Sequence, residues 1–315
     1  APDKFKQCCT AKEAAAAIAH GAKDSAPKAE IIELPLADGG EGTLDVLARA
    51  FPERVKANVQ DPLGRQVSAQ YALDATRKSA LIESSQACGL WRLDEHDRNP
   101  LHTTTFGVGQ LIAHALGQGV SKIVVGLGGS ATSDGGAGMA QALGVKFKSA
   151  KGELATLTGD MLTRISGIDV SGLDKRLKNV QLTALCDVTT GLIGPNGATR
   201  KFVIQKGGTT HTVDKLELGL AVLAEFAKQM NPKADPQNEC SGAAGGLGFG
   251  IAAFLGGKLE QGSRAVLDLL GFEKLLEGAS LVFTGEGSYD EQTPDGKLVC
   301  EVARYCGRSG VPCVV

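Results

Sequence analysis

Carboxylates set among glycines recur at four places: "LADGGEGT" (36–43), "GLGGSATSDGGAG" (126–138), "CDVTTGLIGPNGA" (186–198) and "TGEGSYDEQT" (284–293). Each stretch follows an apolar run, so each falls at the end of an expected strand. A carboxylate in such a place can hold magnesium or take a proton from a substrate hydroxyl. Bare glycine backbone can bring its N–H groups against an anion, and a following helix N-terminus adds its dipole. The candidate acids are Asp38 with Glu41, Asp134, Asp187, and Glu286 with Asp290. Lys206, in "IQKGG" (204–208), is the candidate cation, able to neutralise a phosphate or a carboxylate. Each residue also has a local reading: a helix cap or an Asx turn for the acids, a solvated surface amine for the lysine.

The densest stretch is "GLGGSATSDGGAG", with six glycines in thirteen residues. Glycine loses more backbone entropy on folding than any other residue, so this concentration is costly. Gly128 and Gly129 allow a close backbone approach, and Ser130, Thr132 and Ser133 supply hydroxyls, one of which can be a simple N-cap. A Walker A loop requires GxxxxGK[ST]. The nearest match, "DGKL" (295–298), has Glu291 where the first glycine belongs and Leu298 where the hydroxyl belongs, which excludes a P-loop NTPase. The dinucleotide pattern GxGxxG/A is met by Gly126, Gly128 and Ala131. The acid expected about 20 residues further on has no clear candidate, Glu153 being the nearest. An NAD(P)-dependent dehydrogenase of a small hydroxy acid is the alternative this match leaves.

Strands and helices must alternate to present such loops on one edge. Thr10 and Glu13 form a capping-box pattern in an alanine-rich helical stretch over 9–26. Residues 29–37 read as a buried strand, and 38–51 as a loop and helix. Residues 54–74 alternate around a "DPLG" turn, an antiparallel hairpin. Strands are expected at 79–90, 121–129, 180–188, from 280 and at 311–315. Helices are expected at 103–118, 212–230, 241–257 and 296–310, with hairpin-like pieces after 145. The expected fold class is two α/β domains. One is doubly wound (Rossmann- or flavodoxin-like) and built from both chain ends, 1–50 with 264–315; the other is a mixed α/β domain inserted at 51–263. The chain begins at "APD" and stops mid-strand at "VPCVV", so a first strand and C-terminal elements are expected beyond these ends.

Composition narrows the class. Hydrophobic residues are 43% of the 315 and charged residues 22%, as in ordinary globular chains. A net charge of −2 with no basic stripe gives no support for nucleic-acid binding. No apolar run approaches the roughly 18 residues that span a membrane. The N-terminal stretch lacks the apolar core of a signal peptide. The expected location is cytoplasmic, with no membrane partner. The eight cysteines form no CxxC pair and the five histidines show no metal-site spacing, so reduced thiols are expected.

Taken in order, "APDKFK", "PLADGGEGT", "GLGGSATSDGGAG", "CDV…GPNGA…QKG", "SGAAGGLGFG" and "TGEGSYDEQT…GK" resemble the bacterial glycerate kinases of the first type (glycerate 2-kinase), along the whole chain. The resemblance implies ATP-dependent phosphorylation of D-glycerate to 2-phosphoglycerate with magnesium, in glyoxylate or related sugar-acid breakdown. It also implies an active site in a cleft between two α/β domains. On that basis Gly128, Gly129, Ser130, Thr132, Asp134, Gly285 and Gly287 are expected at the nucleotide. Asp187, Glu286 and Asp290 are expected at the Mg2+. Asp38 or Asp187 would orient or deprotonate the C2 hydroxyl. Lys206, with Lys6, would stabilise the transferred phosphoryl or the carboxylate, and Gly39, Gly40 and Glu41 would border the substrate. A homodimer is left open beside a monomer. Asp38, Glu41, Asp134, Asp187, Lys206, Glu286 and Asp290 match the family pattern. Lys4 stands where the family usually has serine, and Gln7, Cys8 and Cys9 replace Gly-Ser-Leu or similar. Thr190 and Gly191 replace Asn-Pro, and Val203 and Ile204 replace Gly-Pro. A sugar-acid binding protein that has lost catalysis is the non-enzyme alternative.

Overall fold

The computed structural model describes residues 1–5, 8–287 and 298–315. Helix α1 (Ala11–Ser25) opens on the expected capping box: Glu13 N–H donates to Thr10 Oγ1 (3.2 Å), and Thr10 N–H donates to Glu13 Oε2 (2.8 Å). Residues 29–37 are not a laddered strand. Pro35 has no N–H to give, Ile32 is exposed, and Leu36 N–H makes one bond, to Pro2 O (2.9 Å). The helix expected before residue 51 is the single turn α2 (Thr43–Val46).

The hairpin forms as read, with β1 (Glu53–Gln60) antiparallel to β2 (Gln66–Leu73). Its turn is tied by Asp61, whose Oδ1 accepts from Leu63 and Arg65 N–H. Then come β3 (Ser79–Glu83), α3 (Ser85–Cys88), α4 (Phe106–Gly117), β4 (Lys122–Gly126) and α5 (Ala137–Ala142). A three-stranded antiparallel sheet follows, β5 (Lys146–Ser149) flanked by β6 (Gly152–Glu153) and β7 (Gly167–Asp169). The chain continues through β8 (Gln181–Cys186), α6 (Ala198–Phe202), α7 (Thr210–Met230), α8 (Ala243–Leu255), β9 (Lys258–Gln261), α9 (Gly262–Leu269) and α10 (Phe272–Leu275). It ends with β10 (Val282–Phe283), α11 (Leu298–Ser309) and β11 (Cys313–Val314), which lies parallel to β10.

The chain is a mixed α/β protein whose main sheet has six strands in the order β1-β2-β3-β4-β8-β9. Strands β3, β4, β8 and β9 are mutually parallel, and β1 and β2 form the antiparallel edge. This sheet lies within residues 53–261. The chain ends supply only the β10–β11 pair among the described residues. Strand β4 is buried on both faces, which explains its unbroken apolar run. Ile123 and Val125 face one cluster with Tyr71, Leu111 and Leu247; Val124 faces another with Leu44, Phe51, Leu81 and Leu185. A separate cluster joins both chain ends through Leu36, Leu267, Phe272, Leu298, Val302 and Tyr305. The thiol expectation is corrected: Cys186, last in β8, and Cys240, ahead of α8, form a disulfide. Fifty-four positions separate them in sequence, and only the packing of α8 on β8 brings them together. No helix among the described residues is long and apolar enough to cross a membrane.

Candidate active site

The parallel strands β3, β4, β8 and β9 all deliver their carboxyl ends to one edge of the sheet, where open α/β sheets bind ligands. Two glycine loops cross there, backbone on backbone. A Cβ added to Gly126 would lie 2.1 Å from Gly39 O, and one on Gly128 would lie 2.8 Å from Gly40 Cα. Gly39 is left-handed (φ +87°) and sits against Leu185 and Gly262. The glycines at 126 and 128 are therefore explained by the close approach of the first loop, and Gly39 by its positive φ and the contact with Leu185.

Asp38 stands at the mouth of this crossing. Its Oδ1 accepts from Gly40 N–H (2.9 Å) and from the Lys4 ammonium (3.4 Å). Asp187, one residue past β8, accepts from Ser263 N–H (2.9 Å) and Ser263 Oγ (3.1 Å) at the start of α9. Burial, with the nearby Asp38 charge opposing ionisation, pushes the Asp187 carboxyl up to about 8. Asp3 is pushed up to about 6 by burial first, then by Asp38 and, less, by Glu286. Asp3, Asp38, Asp187 and Glu286 thus form one acidic neighbourhood with Lys4 among them. Asp3 N–H donates to Gly285 O (2.9 Å), which brings the 285–287 loop alongside; Gly285 is buried and Gly287 exposed. A cavity of about 310 Å³ opens beside Asp187, lined by Cys186, Thr189, Glu239, Gln261 and Arg304.

The loop after β4 is held from below. Lys206 is buried (4% exposed), and its ammonium donates to Thr132 O (2.6 Å) and Ser130 Oγ (3.2 Å). Burial pulls this amine down to about 8, against the Cys88 and Asp134 charges. Asp134 is fully enclosed. Its Oδ2 accepts from Thr105 N–H (2.7 Å), Thr105 Oγ1 (2.8 Å) and Gly138 N–H (3.2 Å), and its Oδ1 from Gly136 N–H (3.1 Å). Those contacts shape the loop and the start of α5. Glu41 is exposed, on the Gly129 side of the crossing.

The sequence reading missed Glu83 and Lys4. Glu83, last in β3, is buried and accepts from Leu44 N–H (2.7 Å), so it pins the 38–44 segment. Its signal was the same one used elsewhere, an acid ending an apolar run in "ALIES". Lys6 and Asp290 lie outside the described residues. Among the described residues, the group of metal-ligating side chains within 4.8 Å of one another is Asp94, His96 and Asp97, on the surface. Asp187 and Glu286 belong to no such threesome.

Comparison with known proteins fixes the family. The glycerate kinase family model matches residues 1–315. The chain belongs to the glycerate kinase family. It is 43% identical to the glycerate kinase of Halalkalibacterium halodurans over 315 residues, all of this chain and 83% of that protein. It is 40% identical to the glycerate 2-kinase of Escherichia coli K12, again over its full length and 83% of the relative. A crystal structure from Salmonella typhimurium LT2 superposes with a TM-score of 0.87 at 42% identity, covering 99% of this chain and 84% of that one. Membership sets aside the dehydrogenase alternative, and the geometry agrees. After Gly126, Gly128 and Ala131, helix α5 begins only at Ala137, and the two glycines press on another loop. For a glycerate kinase the crossing of loops 38–42 and 126–130 is the candidate active site.

Proposed function

We propose that this glycerate kinase transfers the γ-phosphoryl group of ATP to the C2 hydroxyl of D-glycerate, giving 2-phosphoglycerate. The observation that carries the reading is the meeting of the Asp38, Asp187 and Lys4 side chains with the crossed glycine loops, at the carboxyl ends of parallel strands. Phosphoryl transfer needs positioning and charge stabilisation more than covalent chemistry, and these residue types supply both.

The candidate ligands at the acidic end are carboxylate oxygens, the hard ligands magnesium prefers. Burial first, and neighbouring carboxylates after it, raise Asp187 and Asp3, and a divalent cation beside them would favour their ionised forms. Asp187 and Glu286 would hold Mg2+, with Asp290 a further expected ligand. Bound there, Mg2+ would supply positive charge to offset the negative charge that develops on phosphoryl transfer. Asp38 orients the C2 hydroxyl. Backbone N–H groups of Gly128, Gly129, Gly285 and Gly287 face the phosphates. Lys206 and Asp134 hold the 130–138 loop in shape. We further propose the division into a domain of 1–50 with 264–315 and an inserted domain of 51–263, with the site between them, and a cytoplasmic location.

A coupled ADP-release assay with Mg-ATP and D-glycerate tests this, with phosphorus NMR to separate C2 from C3 product. Glycerate-dependent ADP with a C2 phosphate is expected. Binding of glycerate without turnover would instead support the lost-catalysis alternative.

A further inference from the structure

Three arginines, Arg54, Arg92 and Arg98, are half-buried, and two of them spend their guanidinium on protein acceptors. Arg54 bonds Leu44 O and Asp45; Arg92 bonds Gln86 O and Ser68 O. Arg98 does not. Its Nε is closed off from solvent without a partner, and among the described residues its guanidinium makes no hydrogen bond or ion pair. Asp97 beside it is committed to Arg65 (3.0 Å). A guanidinium stays charged at any working pH. Closing one of its N–H groups off from water without an acceptor is costly.

The place of Arg98 suggests what completes it. Its backbone presses on Gly207: a Cβ there would lie 2.2 Å from Arg98 O and 2.8 Å from Arg98 Cβ. Gly207 follows Lys206, whose ammonium reaches Ser130 and Thr132. Five residues beyond Arg98, Thr103 Oγ1 donates to Ala131 O (3.0 Å). Segment 98–103 therefore runs along the 130–132 stretch on the Lys206 side. Ser130 Oγ accepts from Lys206, which leaves its own O–H to donate.

The two ends of the glycine loop thus differ in charge. Asp3, Asp38, Asp187 and Glu286 gather at the Gly128 end. Lys206 and Arg98 flank the Ser130–Thr132 end, where the buried acid Asp134 has both oxygens occupied by protein donors. A triphosphate arriving with its own divalent cation suits the acidic end. An anion without a metal suits the basic end, and a guanidinium fork matches the two oxygens of a carboxylate. Resting on the glycerate reading above, we infer that Arg98, with the Ser130 hydroxyl, receives the carboxylate of the hydroxy-acid substrate. Arg98 then selects hydroxy acids over the corresponding uncharged polyols and amides.

The test compares wild type with Arg98→Gln and the charge-keeping Arg98→Lys, each checked by circular dichroism. Glycerate and ATP are varied separately, and binding of D-glycerate alone is measured by calorimetry. The expected result for Arg98→Gln is a rise of about tenfold or more in KM and Kd for glycerate, the scale of one charged hydrogen bond. KM for ATP stays within about twofold, and the preference for glycerate over glyceramide narrows. Arg98→Lys, lacking the fork, falls between. Unchanged glycerate affinity, or a rise confined to ATP, overturns the inference. A wild type that binds glycerate but makes no ADP overturns the kinase reading instead, and the calorimetric comparison still decides the role of Arg98.

Discussion

The Lys4 ammonium lies 3.4 Å from Asp38 Oδ1, so Lys4 is paired with an acid central to the candidate site. Asp38 and Asp3 together outweigh the burial that would lower Lys4, and they hold it charged. The Lys4 charge likewise favours the ionised form of Asp3, against its burial. For Lys4→Ser we expect the acid limb of the kcat/KM profile to move to higher pH. Both side chains are partly exposed, so the cost in stability stays below about 1 kcal/mol. A pH–rate series with a urea melt checks both; an unmoved acid limb removes Lys4 from the site.

Asp187 and Asp38 are assigned distinct parts, and their substitutions separate them. Asp187→Ala is expected to cut kcat by roughly 10²-fold or more, the scale seen when a charge-stabilising group is lost. It should also raise the Mg2+ concentration needed for half-maximal rate. Asp38→Ala should lower kcat with little change in that magnesium requirement. Steady-state kinetics over a magnesium titration distinguishes them, and near-normal turnover in either folded variant would strike that residue from the mechanism.

Lys206 gives a pH signature of its own. Its folded-state value, about 8, lies below the ordinary 10.5. Below pH 8 folded and unfolded chains are both charged, and the burial penalty is present in full. Between about 8 and 10.5 the unfolded chain holds more protons, so this group makes stability rise with pH across that window. Activity that needs the charged amine should fall over the same interval. Thermal melts and kcat measured from pH 7 to 10 should therefore diverge. In Lys206→Met the rise in stability with pH should be absent.

Glu83 is expected to matter without touching either reactant. Removing it leaves the buried Leu44 N–H without its acceptor and frees the 38–43 loop. Glu83→Ala should cost about 1–3 kcal/mol and raise KM for glycerate. Glu83→Gln, which keeps an acceptor oxygen, should recover most of both. Denaturant melts beside kinetics give the comparison; equal loss in the two variants would show that the charge, rather than the hydrogen bond, is what the loop needs.

Much of the scaffold was legible because local rules and tertiary structure agreed. The Thr10–Glu13 box, the "DPLG" hairpin and the apolar run of β4 each announce their element in a few residues. The segment at 29–37 was misread because apolar content alone suggests a strand, whereas pairing depends on neighbours that local sequence does not specify. The four glycine–acid stretches look alike in sequence, yet the contacts of their described residues differ and come from distant positions. Asp134 reads like Asp187 in sequence, but Thr105 and the start of α5 enclose it. Lys206 was chosen as a cation from its glycine neighbours; that its ammonium points into the 130–132 loop is set by residues more than seventy positions away. The Cys186–Cys240 bond was hidden for the same reason.

The Gly40–Gly128 crossing has an evolutionary corollary. A side chain acquired at Gly128 would sit 2.8 Å from Gly40 Cα and wedge the first loop away, whereas one at Gly40 would first meet Asp38 Oδ1 of its own loop (2.9 Å). Position 128 therefore cannot drift alone, and a tolerated change there should appear only with a compensating shift in the 38–42 loop. Two segments nearly ninety residues apart are thereby bound into a single unit of inheritance, and recombining the N-terminal loop of one relative with the second loop of another should succeed only where both partners keep glycine.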